Sequence, residues 1–286
     1  MDVKNVAVVG GGTMGNGIAH VFALSGFDVV LIDLKQDYID RAMATIKKNM
    51  ERQAQKGTIQ PTDVPAALGR IRTSTCIDEV RNANLAIEAI FEKIEPKLDI
   101  FKKFDVLCKP DAIMASNTSS LPITRIAAIT GRPDKVVGMH FMNPVPMMKL
   151  VEMIRGLATS DETMKAATDV ANKLGKTPVE VSDYPGFSTN RLLMPMINEA
   201  VYCLMEGVAS KESIDTCMRL GMNHPMGPLT LADFIGLDVC LDIMNVLHDG
   251  FADPKYRPCP LLRKMVQAGY LGRKTGRGFY IYDNKA

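Results

Sequence analysis

The stretch from residue 3 to residue 33 constrains this chain most, because it asks one turn to meet three backbone demands at once. Val6 to Val9 form an unbroken apolar run, the pattern of a strand buried on both faces. Gly10-x-Gly12-x-x-Gly15 follows directly, and an apolar-periodic segment with Ile18, Val21, Phe22 and Leu24 then runs to Gly26 as a helix with a glycine stop. A second apolar run, Val29 to Ile32, ends in Asp33, eighteen residues beyond Gly15. Gly10 permits the tight turn, Gly12 lets backbone approach a pyrophosphate, and Gly15 lets helix pack close to strand. The free N–H groups and the dipole at the helix start favour phosphate, and Asp33 can accept hydrogen bonds from a ribose 2′-hydroxyl. The stretch predicts a dinucleotide site, and an acid at position 33 favours NAD over NADP.

A chain of 286 residues is long enough for about two domains. Its 47% hydrophobic and 23% charged content is that of a soluble globular protein. The net charge of +2 offers no basic footprint for nucleic acid. No apolar run reaches the length of a membrane span, and the N-terminus enters a strand at once without a signal-peptide layout. The six cysteines, at 76, 108, 203, 217, 240 and 259, include no C-x-x-C pair, so they read as reduced thiols and not as zinc ligands. A cytoplasmic protein without a metal is expected.

Residues 37 to 56 carry a long helical pattern ending at Gly57, with Lys47, Lys48, Arg52 and Lys56 on its polar side. Such a face is ordinarily solvated surface; the sharper reading is an anchor for a phosphorylated ligand. A short helix is expected between Pro61 and Gly69. Strand-like pieces then recur at 70–73, 85–88, 112–115, 136–139, 149–154 and 178–181, with a helix at 97–107 and a Thr159-x-x-Glu162 capping box opening another that stops at Gly175. The alternation predicts a Rossmann-type, doubly wound, mostly parallel α/β sheet over residues 1–184.

From residue 185 to 286 the pattern turns all-helical, with helices expected at 187–206, 211–220, 229–247 and 260–268. The third is apolar nearly all round and so must be buried. About 100 residues are few to enclose it, which favours a homodimer through this domain.

Ligands of a doubly wound sheet lie at the C-terminal ends of its strands. Ser116-Asn-Thr-Ser-Ser120 follows the 112–115 strand, His140-Phe-Met-Asn-Pro144 follows the 136–139 strand, and Glu152 lies in the next. Pro185-Gly-Phe-Ser-Thr-Asn-Arg191 opens the helical domain, where Asn190 is expected to face the cleft between domains. On chemistry alone a histidine at a strand end is ordinarily structural, as His20, His224 and His248 are read, and the three serines 116, 119 and 120 cannot be told apart.

At these motifs the chain resembles the L-3-hydroxyacyl-CoA dehydrogenases, most closely the short 3-hydroxybutyryl-CoA dehydrogenases. The similarity spans essentially the whole chain: Gly-Gly-Gly-Thr-Met-Gly at 10–15, Ala-Ser-Asn-Thr-Ser-Ser-Leu at 115–121, Gly-Met-His-Phe at 138–141, Asn-Pro-Val-Pro at 143–146, Lys-Leu-Val-Glu at 149–152, His-Pro-Met-Gly-Pro at 224–228 and Gly-Arg-Lys-Thr-Gly at 272–276. The resemblance implies NAD-dependent, reversible hydride transfer at C3 of an acyl-CoA, with His140 as general acid/base, Glu152 as its carboxylate partner, and Ser119 and Asn190 positioning the substrate oxygen. It assigns the cofactor to Gly10, Gly12, Thr13, Met14, Gly15, Asp33, Glu92, Lys97, Ser119, Asn143 and Lys274. It assigns the CoA-bearing substrate to Arg52, Lys56, Ser119 and Asn190, with no metal. Without the resemblance, Glu92 and Lys97 read as solvated surface charges. Arg52 stands where close relatives commonly have lysine, Ser188 and Thr189 replace apolar residues beside Asn190, and Met142 replaces a frequent phenylalanine. Two rivals remain at this stage: a relative acting on a free sugar acid such as L-gulonate, and a non-enzymatic NAD-binding structural protein.

Overall fold

A computed structural model describes residues 3–282. The chain divides into two compact units, one running to Tyr184 and the other starting at Pro185.

The first unit is a single eight-stranded sheet with strand order β3-β2-β1-β4-β5-β6-β7-β8. The strands are β1 (Asn5–Val9), β2 (Asp28–Ile32), β3 (Ile71–Ser74), β4 (Leu85–Glu88), β5 (Ile113–Ser116), β6 (Val136–Phe141), β7 (Leu150–Arg155) and β8 (Thr177–Ser182). The helices between them are α1 (Thr13–Leu24), α2 (Gln36–Gln55), α3 (Asp63–Gly69), α4 (Ile94–Leu107), α5 (Ile123–Ala127) and α6 (Asp161–Lys173). Strand order reverses direction at β1, which puts the switch point of the sheet at the glycine loop. The central strands are buried on both faces, and their side chains, among them Val6, Val8, Leu31, Leu85, Ile87 and Val137, pack with Ile18 and Phe22 of α1 in one core.

Gly15 has no room for any side chain, since a Cβ there would lie 1.7 Å from the Gly10 carbonyl oxygen. Gly10 has φ +108, and a Cβ would meet the Ala89 carbonyl oxygen at 2.5 Å. Gly12, by contrast, faces open space.

β7 runs antiparallel to β6, whereas every other neighbouring pair is parallel among the described residues. The connection explains this: residues 142–149 are too few for a parallel crossover, so the chain turns back on itself. The helix at 161–173 opens one residue later than the Thr159-x-x-Glu162 spacing predicts. Ser160 is the N-cap and accepts from the Thr163 amide, while the Thr159 hydroxyl donates to the Val136 carbonyl at 2.6 Å and ties the helix approach to β6.

The second unit contains α7 (Thr189–Met205), α8 (Lys211–Thr216) with a wider turn at Cys217–Gly221, α9 (Pro228–Ile235), α10 (Leu237–Phe251) and α11 (Pro260–Gln267). The single apolar helix expected at 229–247 is two helices broken at Gly236, whose φ is +107. Each half then buries its own face, Leu229 and Ala232 in α9, and Leu237, Cys240, Ile243, Met244 and Leu247 in α10, while Phe234 and Val239 stay exposed. The apolar perimeter reflects two burial directions, not one fully enclosed helix. The six cysteines are free thiols, and burial pushes Cys108 up to about 11 and Cys240 up to about 12, which keeps both protonated and unreactive.

Two buried carboxylates organise the C-terminal segment. Asp215 accepts from the Leu229 and Thr230 amides and from the Tyr280 hydroxyl. Asp233, 1% exposed, accepts from the Phe279 and Tyr280 amides and the Tyr282 hydroxyl, each at 2.9 Å. Gly272 and Gly278 admit this approach, since a Cβ at either would fall within 2.3 Å of Asp233 atoms. Asp233→Ala leaves two buried amides without an acceptor and is expected to cost about 2–4 kcal/mol in urea unfolding. Tyr282→Phe, which removes only one neutral donor, is expected to cost about 1 kcal/mol. Equal losses in the two variants would contradict this role for Asp233.

Candidate active site

The parallel register aligns the C-terminal ends of the central strands. Val9 of β1 pairs with Glu88 of β4, Glu88 with Ser116 of β5, and Ser116 with Gly138 of β6. The glycine loop, the 116–120 loop and the end of β6 therefore sit side by side along one edge of the sheet.

At the β1–β2 end, the Gly11 amide donates to Asp33 Oδ2 at 2.6 Å and the Leu34 amide to Asp33 Oδ1 at 2.7 Å. The acid is thereby held at the end of β2, against the turn. No side chain caps α1, whose N-cap is Gly12, and no acid stands in its first turn, so this helix start is suited to an anion. A cavity of about 360 Å³ adjoins it, lined by Gly11, Gly12, Thr13, Asn16, Asp33, Tyr38 and Arg41, among others. Met14, in the same first turn, is half-buried. An exposed Gly12, an uncapped helix start and a fixed acid fit a dinucleotide with its pyrophosphate over the loop and a ribose at Asp33. A second cavity of about 290 Å³ lies at the opposite edge, by Asn5, Asp28 and Arg72, away from all these groups.

At the β6 end, His140 is directly opposite Glu152 in the antiparallel β6–β7 register. Both are buried, 6% and 1% exposed, and His140 Nδ1 lies 2.8 Å from Glu152 Oε2. A carboxylate can only accept, so Nδ1 carries the proton in the neutral ring and Nε2 carries the lone pair. The strand reversal is what brings these two residues together. The Phe141 amide donates to Asn117 Oδ1 at 2.9 Å, tying the end of β6 to the loop after β5.

Between these ends lies a network that sequence reasoning did not anticipate. Lys97, which the resemblance assigns to the cofactor and which otherwise reads as a solvated surface charge, is 1% exposed. Its Nζ lies 2.7 Å from Glu88 Oε1, 3.2 Å from Glu92 Oε2 and 3.3 Å from the Ile90 carbonyl, which matches its three N–H donors. Glu88, wholly buried, also accepts from the Ile90 amide at 2.7 Å and the Ser116 hydroxyl at 2.6 Å. Burial is the strongest influence on its carboxyl and holds it above the usual carboxylate range, against the opposing pull of Lys97 and the two hydrogen bonds. Glu92 is exposed at its outer side, and its Oε1 accepts from the Thr118 hydroxyl and the Ser119 and Ser120 amides. Ser119 is half-buried, whereas Ser116 and Ser120 are buried. The signal for Glu88 was present in sequence, as one acid closing the otherwise apolar run Leu85-Ala-Ile87.

The remaining expected residues fall elsewhere. Asn143 is exposed in the 142–149 turn, next to Pro144, to which it is joined by a cis bond. Arg52 and Lys56 are exposed at the C-terminal end of α2, and Arg52 Nη2 donates to Asn49 at 2.9 Å. In the second unit, Asn190 is buried in the first turn of α7, its amide donating to the Gly186 carbonyl at 3.1 Å. Lys274 Nζ lies 2.6 Å from Asp238 Oδ2. His20 is buried on α1 against Gln53 of α2 at 3.0 Å, and burial pushes its pKa down, the behaviour of a neutral packing residue.

Comparison with known proteins agrees with this geometry. The chain matches the 3-hydroxyacyl-CoA dehydrogenase NAD binding domain over residues 5–184 and the 3-hydroxyacyl-CoA dehydrogenase C-terminal domain over residues 186–282. It is 56% identical over 285 residues to a protein of Bacillus subtilis named probable 3-hydroxybutyryl-CoA dehydrogenase, covering 100% of this chain and 99% of that one. It is 55% identical over 280 residues to the 3-hydroxybutyryl-CoA dehydrogenase of Bradyrhizobium diazoefficiens, covering 98% and 96%. The crystal structure of (S)-3-hydroxybutyryl-CoA dehydrogenase from Ralstonia eutropha superposes with a TM-score of 0.96 at 50% identity, covering 99% of this chain and 100% of that one. With both family domains matched in order and relatives more than half identical along their lengths, the chain belongs to the 3-hydroxyacyl-CoA dehydrogenase family.

Proposed function

We propose that the protein catalyses the reversible, NAD-dependent interconversion of (S)-3-hydroxybutyryl-CoA and acetoacetyl-CoA, with His140 as general acid/base. The observation that carries this reading is the buried His140–Glu152 pair on the same sheet edge as the glycine loop. The names of the relatives support the short-chain acyl-CoA as substrate.

Gly10, Gly12, Thr13, Met14, Gly15 and Asp33 would hold the dinucleotide, with Glu92, Ser119, Asn143 and Lys274 as further contacts, while Lys97, assigned to the cofactor by resemblance, is buried and would act through Glu92. When bound, NAD supplies the hydride acceptor. His140 Nε2 takes the hydroxyl proton as the C3 hydrogen leaves, and returns it in the reverse direction. Glu152 holds the ring in the tautomer that puts the lone pair on Nε2, and its charge stabilises the imidazolium that forms. Burial of the pair keeps water from competing for that proton. Ser119 and Asn190 are assigned to the substrate oxygen. The carboxylate of Asp33 favours a free ribose hydroxyl and repels a 2′-phosphate, which supports NAD over NADP.

Exposed Arg52 and Lys56 are assigned to the phosphates of CoA, which a free sugar acid would not require. A homodimer through the helical unit is supported by its exposed apolar side chains, including Leu192, Val208, Leu220 and Met222. No helix among the described residues is long and apolar enough to cross a membrane, and free thiols accord with a cytoplasmic enzyme.

His140→Gln is expected to lower kcat by at least about a thousandfold while NADH binding, followed by its fluorescence, stays within about threefold. A near-unaltered rate would remove the mechanism. The double variant Arg52→Glu, Lys56→Glu is expected to raise KM for acetoacetyl-CoA about tenfold or more and leave turnover of a CoA-free 3-oxo thioester unchanged. Equal effects on both substrates would argue against a CoA site on α2. Sedimentation velocity is expected to give twice the chain mass of 31.3 kDa, and a monomer at micromolar concentration would remove the dimer.

A further inference from the structure

The charges behind the serine loop do not cancel. Glu88 and Lys97 are both buried, Glu92 closes the group from its half-exposed side, and the lysine stands within 3.2 Å of both carboxylates. Two acids and one base leave a net charge of minus one. Lys97, the Ile90 amide and the Ser116 hydroxyl all donate to the Glu88 carboxylate, three contacts that favour its anion against the cost of burial. A fold that needed only to tie β4 to β5 could do so with a neutral amide at far lower desolvation cost.

The position of the group gives the charge a target. Glu88 is in register with Val9, the residue before the glycine loop, and with Ser116, whose strand neighbours the one bearing His140. A dinucleotide that runs from Asp33 across the glycine loop and reacts beside His140 must cross the ends of β4 and β5. The part of it that reaches there is the nicotinamide, which carries one positive charge when oxidised and none when reduced. A fixed negative group beneath it acts on one redox form and not on the other.

We propose that Glu88, through the Glu88–Lys97–Glu92 group, is a positioning and specificity residue that biases binding toward the oxidised cofactor. This rests on the NAD reading above. In the variant Glu88→Gln the side-chain amide can preserve the hydrogen bonds, since its oxygen accepts from Lys97 and Ile90 while its NH2 donates to the Ser116 oxygen. The substitution therefore removes charge and keeps the scaffold.

The test is equilibrium binding without substrate, by calorimetry for NAD+ and by NADH fluorescence, on the unaltered protein and on Glu88→Gln, Glu92→Gln and Ser116→Ala. The ratio Kd(NAD+)/Kd(NADH) is expected to rise about tenfold in each Gln variant, the order of one unit-charge interaction in a partly buried site. Ser116→Ala, which removes a hydrogen bond and no charge, is expected to move the ratio less than twofold. Glu92 stands at the half-exposed side of the group, so Glu92→Gln is informative by itself if Glu88→Gln is unstable. Equal weakening of both redox forms, with the ratio unchanged, overturns the proposal and leaves the NAD reading intact. Failure of the unaltered protein to bind either form overturns the NAD reading itself.

Discussion

A buried imidazole is a useful base only if its second nitrogen is held by something that fixes the tautomer and tolerates the charge that forms. In this fold that condition is met by one reversal of strand direction. Elsewhere in the sheet longer connections carry the chain back to start a parallel strand, but β6 and β7 are linked by residues 142–149 alone, and the short turn forces an antiparallel pair. The resulting register sets Glu152 directly across from His140, at 2.8 Å from Nδ1. Neither residue is on a loop, so the geometry is as rigid as the sheet. A slip of β7 against β6 by one residue would turn Glu152 to the other face of the sheet and leave His140 without it.

The rest of the sheet edge is arranged around that pair. Asn117 ties the Phe141 amide to the loop after β5, Glu92 gathers the Thr118, Ser119 and Ser120 donors, and Glu88 with Lys97 anchors the same loop from below. The glycine loop at the neighbouring strand end is fixed by contacts that only glycine permits at 10 and 15. In the proposed mechanism, binding and chemistry are carried on strand ends of one rigid sheet, with β4 and β5 between the glycine loop and His140, the arrangement that keeps reacting groups within small tolerances.

Local pattern was enough to read the first βαβ unit and every strand of the sheet, because apolar periodicity and glycine chemistry act over a few residues, whereas the pairing of His140 with Glu152 came from the family resemblance. What could not be read depends on partners distant in the chain. Lys97 looks like surface until Glu88 and Ile90 are brought beneath it by the β4–α4 turn. Asp215 and Asp233 look like ordinary helix acids until the 279–282 segment returns to meet them. The break at Gly236 was hidden because both halves are apolar and the one glycine gave no period of its own, and the N-cap at Ser160 was displaced because Thr159 bonds to β6 instead. Which serine of 116, 119 and 120 faces a ligand was open on chemistry; the half-burial of Ser119 against the burial of the other two supports the choice made by resemblance.

The proposed proton transfer turns on which nitrogen of His140 carries the lone pair. Nitrogen-15 NMR of the four histidine side chains, with His140 assigned by comparison with His140→Gln, reads this directly. In the neutral ring a protonated Nδ1 and a lone pair on Nε2 are expected, and Glu152→Gln is expected to remove this preference. A protonated Nε2 with the lone pair on Nδ1, unchanged by Glu152→Gln, would contradict the assigned roles of both residues.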